Sequence, residues 1–174
     1  MRVHNFDDSI KIGARGEKII QCFLESFGGV DHYEDVSEDK AFQKKDIDGL
    51  LWLKRGGKVP VELKTDTYTS GNIFYETQSC VEFNTPGCME KTEAEYLYYY
   101  FPNFKFMYCI SMNEYRDWFH QNKSQFKYKT FGNKKKYGDG TYHSGGYLIP
   151  MSYMEKHFDK AHWKKFDMSH VSFS

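Results

Sequence analysis

Two apolar runs, residues 47–53 and 59–65, flank Lys54-Arg55-Gly56-Gly57-Lys58, and the second run carries Glu62 and Lys64 in its midst. The glycine pair between β-prone runs is a hairpin signal. On a strand the side chains alternate, so Glu62 and Lys64 point one way while Val61 and Leu63 point the other. A carboxylate and an ammonium on an otherwise apolar strand are costly to bury unless something compensates both. With the turn at Gly56-Gly57, Asp48 on the first strand comes opposite Glu62 or Lys64, so two carboxylates and a lysine converge at one end of the hairpin.

That convergence suits phosphodiester hydrolysis assisted by a hard divalent cation. Mg²⁺ takes oxygen ligands in octahedral geometry and keeps several waters. Asp48, Glu62 and the backbone carbonyl of Leu63 are the expected protein oxygens, with Mn²⁺ as a substitute ion. Lys64 is placed to hold the attacking water or the scissile phosphate. Asp46 shares a face with Asp48, and Asp48 is the preferred ligand because the apolar strand follows it at once.

The pattern of Asp48, fourteen positions to Glu62, then Glu62-x-Lys64 resembles the PD-(D/E)xK nuclease superfamily, which includes restriction endonucleases, Holliday-junction resolvases and phage exonucleases. The proline that precedes the aspartate in that motif is absent. The resemblance covers roughly residues 10–110. It implies an α/β (α+β) fold: a single domain with a central mixed β-sheet flanked by helices, built on a restriction-endonuclease-like core. It further implies a Mg²⁺-dependent nuclease acting on DNA, with Glu17 on the preceding helix as an auxiliary acid. A catalytically inactive nuclease-fold module that binds nucleic acid or a protein partner is the alternative. A compact nuclease of this kind suits a phage or mobile element, and a homodimer is compatible with it.

The other elements follow from periodicity and punctuation. Residues 8–27 read as a helix, capped by Asp8 or Ser9 and ended by Gly28-Gly29, with Ile19, Ile20, Phe23, Leu24 and Phe27 on one arc. A strand is expected at 30–36, a polar loop at 37–45, and a strand at 72–78 completing a three-stranded meander with the hairpin. Residues 90–100 read as a helix stopped by Pro102, 105–112 as a strand, 113–121 as a helix and 125–130 as a strand. The Gly-, Lys- and Asn-rich stretch 132–146 reads as a loop, 147–150 as a strand and 152–158 as a helix, and the tail beyond Lys165 gives no signal. The expected division is a core over 8–121, a basic loop region over 122–146 and a C-terminal strand and helix over 147–165.

Around the hairpin, Glu76 and Gln78 are candidates to join the site if their strand lies beside Glu62. Lys91 and Thr92 are candidates to meet a phosphate at a helix start. Between Gln121 and Tyr137 lie Lys123, Lys127, Lys129, Lys134, Lys135 and Lys136 with no acid, interleaved with Phe126, Tyr128, Phe131 and Tyr137. Cations for a backbone plus rings for unpaired bases make this a candidate nucleic-acid surface; a solvated lysine loop is the plainer alternative. The chain as a whole has 24 basic and 24 acidic residues, so binding must rest on local patterning. The cysteines at 22, 80, 88 and 109 form no CxxC pair, a bridge between Cys80 and Cys88 has no support, and the histidines are too scattered for zinc. Without a signal peptide or a long apolar run, the expectation is an intracellular, cytoplasmic protein (host cytoplasm if phage-encoded) with reduced thiols and no membrane span.

Overall fold

The computed structural model describes residues 6–134 and 140–171, with backbone alone at 6–12 and 134. In chain order the elements are α1 (Phe6–Glu25), β1 (Val30–Asp35), α2 (Lys40–Gln43), β2 (Gly49–Leu53), β3 (Lys58–Thr65), β4 (Asn72–Cys80), β5 (Thr85–Pro86), α3 (Cys88–Lys91) and β6 (Tyr96–Phe101). There follow β7 (Phe106–Ser111), α4 (Met112–Asn122), β8 (Lys127–Lys134), β9 (Thr141–Pro150), α5 (Met151–His157) and β10 (Trp163–Asp167). They form an α+β domain with a mixed six-stranded sheet, ordered β1-β2-β3-β6-β7-β10, and a four-stranded antiparallel sheet, ordered β5-β4-β9-β8.

The hairpin forms as the sequence predicts. Gly56 and Gly57 turn at φ values of +89° and +88°, a region that glycine enters without a Cβ penalty. The register pairs Gly49 with Val61 and Leu51 with Val59, so Asp48, one residue before β2, falls beside Glu62. β3 is then flanked on its other side by β6, in parallel, with Glu62 opposite Leu97 and Lys64 opposite Tyr99.

Each face of this sheet has its own cover. On the Val61 and Leu63 face, Ile20 and Leu24 of α1 pack with Tyr33, Tyr98, Tyr100 and Met107. On the Glu62 and Lys64 face, Leu97, Tyr99 and Phe101 meet Ile73, Tyr75 and Ile149 of the second sheet together with Tyr115 and Phe119 of α4. The aromatic excess is mostly core: Tyr75 stacks on Phe119 with ring centroids 3.6 Å apart.

Several expectations are corrected. Positions 8 and 9 lie inside α1, so neither caps it. Residues 90–100 are not a helix: α3 is one short turn, and the Tyr96–Phe101 run is a central strand. Strands covered on both faces read as continuous apolar runs, which hides their period of two. β4 leaves the hairpin for the second sheet, so the antiparallel trio is β1-β2-β3. The described residues of the expected loop 132–146 are largely strand, since β8 and β9 pair from Lys127 opposite Leu148 to Lys134 opposite Thr141. Gly145 and Gly146 are packing requirements: a Cβ on Gly146 would lie 2.3 Å from the Tyr75 carbonyl oxygen. The tail supplies β10, antiparallel to β7. All four cysteines are free. Among the described residues no helix is long and apolar enough to cross a membrane.

Candidate active site

Asp48, Glu62 and Lys64 meet where β2 begins and β3 runs on past it. Glu62 is buried, 3 % exposed, on the face turned to the second sheet. Its Oε1 lies 2.8 Å from the Lys64 Nζ, and its Oε2 is buried with no hydrogen-bond partner. Burial pushes the Glu62 carboxyl up to about 8, with Asp48 adding to the effect and Lys64 opposing it. For Lys64 burial acts downward, while Cys88, then Glu62 and Asp48, act upward and hold the ammonium well above its ordinary value. The lysine is therefore a fixed cation.

Asp48 is anchored to the neighbouring backbone. Its Oδ2 accepts a hydrogen bond from the Leu63 N–H at 2.8 Å, and its own N–H donates to the Val61 carbonyl. A strand residue directs its N–H and C=O to the same side, so the Leu63 carbonyl faces the same edge, beyond the last β2 pair. Asp48 and the Leu63 carbonyl thus share the edge of β3 that runs past β2, and Glu62, with its orphaned Oε2, is the residue before Leu63 on that strand. This set of hard oxygens fits Mg²⁺ or Mn²⁺, and an unsatisfied buried carboxylate oxygen is the atom such an ion would relieve. Among the described residues no three His, Cys, Asp or Glu side chains are grouped to hold a metal; here one of the three donors would be a backbone carbonyl.

Glu17 approaches from the opposite face of the sheet. Gly16 lets α1 lie against β3, because a Cβ there would be 2.0 Å from the Thr65 Oγ1. The adjacent Glu17 carboxyl, though solvent-exposed, is raised by partial burial and then by Asp48, with Lys64 opposing and Asp35 adding. Glu76 comes from the second sheet rather than from a strand beside Glu62. Its Oε1 accepts from the Cys88 N–H at 3.3 Å, and burial raises it while Lys64 opposes.

The remaining candidates are otherwise engaged. Asp46, at φ +48°, receives the Lys91 Nζ at 2.9 Å, and Thr92 donates its hydroxyl to the Asp46 carbonyl. Lys91 and Thr92 therefore brace the turn that carries Asp48. Gln78 is turned away: the register slips between Glu76 and Gln78, and a bulge of this kind re-aims the side chain that follows. Both ends of its amide are used, by Asn84 and by the Tyr128 hydroxyl.

Lys127 and Lys129 are exposed on β8, but Lys123 lays its ammonium 5.0 Å from the Tyr147 ring. Tyr147 pairs with Tyr128, so it occupies the sheet face opposite Lys127 and Lys129, and the expected lysine cluster is divided. The Lys134 side chain, Lys135 and Lys136 lie outside the described residues.

Two residues at the site escaped the sequence reading. The Tyr33 ring fills the space over Gly49, whose Cβ would be 2.1 Å from the Tyr33 hydroxyl oxygen. Burial raises that hydroxyl, and Asp35, Asp48, Glu17 and Glu62 each add. The glycine directly after Asp48 was the available signal, since it leaves room for a ring. The Cys88 thiol is buried and pushed up to about 12 by burial, with Lys64 opposing. It is a neutral wall between Lys64 and Glu76, and nothing in its sequence context marked it.

Glu17, Asp35, Asp46, Asp48, Glu62 and Glu76 thus gather round Lys64 and Lys91. Acid exceeds base, an arrangement that attracts a divalent cation. Comparison of the chain with family models, with curated proteins and with solved structures finds no match.

Proposed function

We propose that this chain is a Mg²⁺-dependent nuclease of the PD-(D/E)xK type with a restriction-endonuclease-like core, hydrolysing phosphodiester bonds in DNA. One observation carries the reading: Glu62 is buried with its Oε2 unpartnered and its Oε1 clasped by Lys64, on the strand whose next residue, Leu63, donates its N–H to Asp48.

Asp48, Glu62 and the Leu63 carbonyl would hold the ion, which when bound lowers the pKa of water and neutralises charge developing on the phosphorane. Lys64 stays protonated and donates to the attacking water or to a non-bridging phosphate oxygen. Held on a strand with little freedom, it has its orientation set before the reaction. Glu17, with its carboxyl already raised, accepts a proton from that water or positions a second one. Glu76 closes the opposite side of the site through its bond to the Cys88 N–H.

Purified protein should cleave at least one of duplex, single-stranded or branched DNA in Mg²⁺ or Mn²⁺. Lys64→Ala and Glu62→Gln should each slow cleavage by about 10²-fold or more while still binding DNA. Absence of cleavage of all three substrates by the wild-type protein would leave an inactive binding module as the surviving reading.

A further inference from the structure

Glu76, held by the Cys88 N–H and within reach of the Lys64 charge, stands on the face of the second sheet opposite Ile73 and Tyr75, and that face carries the lysines and rings that the nuclease reading leaves unused. Register assigns its residues: Glu76 lies opposite Gly146, and Gly146 lies opposite Lys129 on the next strand. Lys129 therefore stands two strand spacings from Glu76, roughly 10 Å, with only a glycine between them. Lys127 is two residues along on the same face, and both lysines are exposed. No ion pair of either with an acid is present among the described residues.

Beside these cations runs a strip of rings. Phe74 meets Phe131 edge to face at 5.0 Å, and Phe131 meets Tyr68 at 6.1 Å. Tyr68 is 49 % exposed, whereas Phe74 and Phe131 are half-buried. Gly146 lets the Phe74 ring lie flat across the sheet, since a Cβ there would come within 2.7 Å of that ring.

From this placement, and resting on the nuclease reading for the role of the neighbouring site, we infer that the face bearing Lys127, Lys129, Tyr68, Phe74 and Phe131 is a track for an unpaired nucleic-acid strand leading to the site. Cations follow the backbone while rings offer surfaces on which bases stack. A duplex hides its base faces inside its own stack, so only an unpaired strand uses both features. The plainer account treats Lys127 and Lys129 as guards on an exposed edge strand. Guards need no adjoining rings and have no preference for a single strand.

The test is fluorescence anisotropy with wild-type protein in EDTA, where no cleavage is needed, using oligo-dT, oligo-U and a duplex of equal length. Oligo-dT or oligo-U should bind at least about ten times more tightly than the duplex. Tyr68→Ala should weaken single-strand binding by about 10-fold, and Lys127→Ala with Lys129→Ala should lower the salt slope by about 1–2. The dT and U arms identify which strand chemistry is preferred. Tyr68→Ala sits at an exposed position, so its folding is secure, and circular dichroism checks each variant. Equal or tighter duplex binding, or unchanged single-strand binding by the Tyr68 variant, overturns the track. Single-strand binding through these residues without cleavage in Mg²⁺ would fail the nuclease reading and leave the track standing; cleavage insensitive to them would do the reverse.

Discussion

At the scale of single residues, Glu62 concentrates the conflict between folding and chemistry. Its carboxyl is buried, one oxygen is unpartnered, and its pKa is raised to about 8 from an ordinary value of 4.5. Between those values the unfolded chain has released the proton while the folded protein keeps it, so stability is full below about 4.5 and drains away as pH rises toward 8. Glu62→Gln keeps an oxygen for Lys64 and carries no charge to bury. In EDTA at pH 8 it should be more stable than the wild type by about 1–3 kcal/mol, with a flatter dependence on pH. Urea unfolding at pH 5, 7 and 8 measures this, and Mg²⁺ should stabilise only the wild type. A Gln variant that is no more stable than the wild type at pH 8 would mean that the carboxylate is not strained. A site that costs stability for the sake of function is a common compromise.

At the scale of elements, α1 was legible because it is half-buried and so keeps its period, and the hairpin because paired glycines mark its turn. Asp48, Glu62 and Lys64 could be placed together from the sequence for that reason: a two-stranded register with glycines at its turn has few solutions. The Tyr96–Phe101 strand and the β8–β9 pair were not legible. In the first, burial on both faces removes the alternation; in the second, Gly145 and Gly146 serve tertiary contacts that nothing local announces. Lys123 was grouped with its neighbours by sequence proximity, whereas alternation across the sheet separates them. Contacts between elements also decide where Glu17 sits. Gly16→Ala would drive a methyl into Thr65, lifting α1 from β3 at a cost of about 1–3 kcal/mol and withdrawing Glu17 from Asp48. Gly28→Ala, where a Cβ meets nothing within 4 Å, is the control and should change stability little. Chemical denaturation of the two variants compares them directly, and equal midpoints would refute the close approach.

At the scale of the whole molecule, a net charge of zero conceals a separation: acids gather at the open edge of β3, while Lys127 and Lys129 lie across the facing sheet. A phosphate backbone drawn in by the lysines would meet repulsion from Asp48, Glu17 and Glu76 until a cation neutralised them. Cation and nucleic acid should therefore bind cooperatively, each raising the affinity of the other by the same factor. Lys64→Ala, chosen because cleavage is suppressed while both side-chain ligands remain, should bind DNA about 5–10 times more tightly in Mg²⁺ than in EDTA at matched ionic strength, a coupling within the usual range. The double variant Asp48→Asn with Glu62→Gln lessens the repulsion without the ion, since only Glu17 and Glu76 then remain. It should bind more tightly than the wild type in EDTA and respond weakly to Mg²⁺, with Asn still able to accept from the Leu63 N–H. Titrations of labelled DNA under the two conditions read both effects. If Mg²⁺ leaves the affinity of Lys64→Ala unchanged, the carboxylates and the phosphate do not share one ion, and the acidic edge would have to serve something other than catalysis.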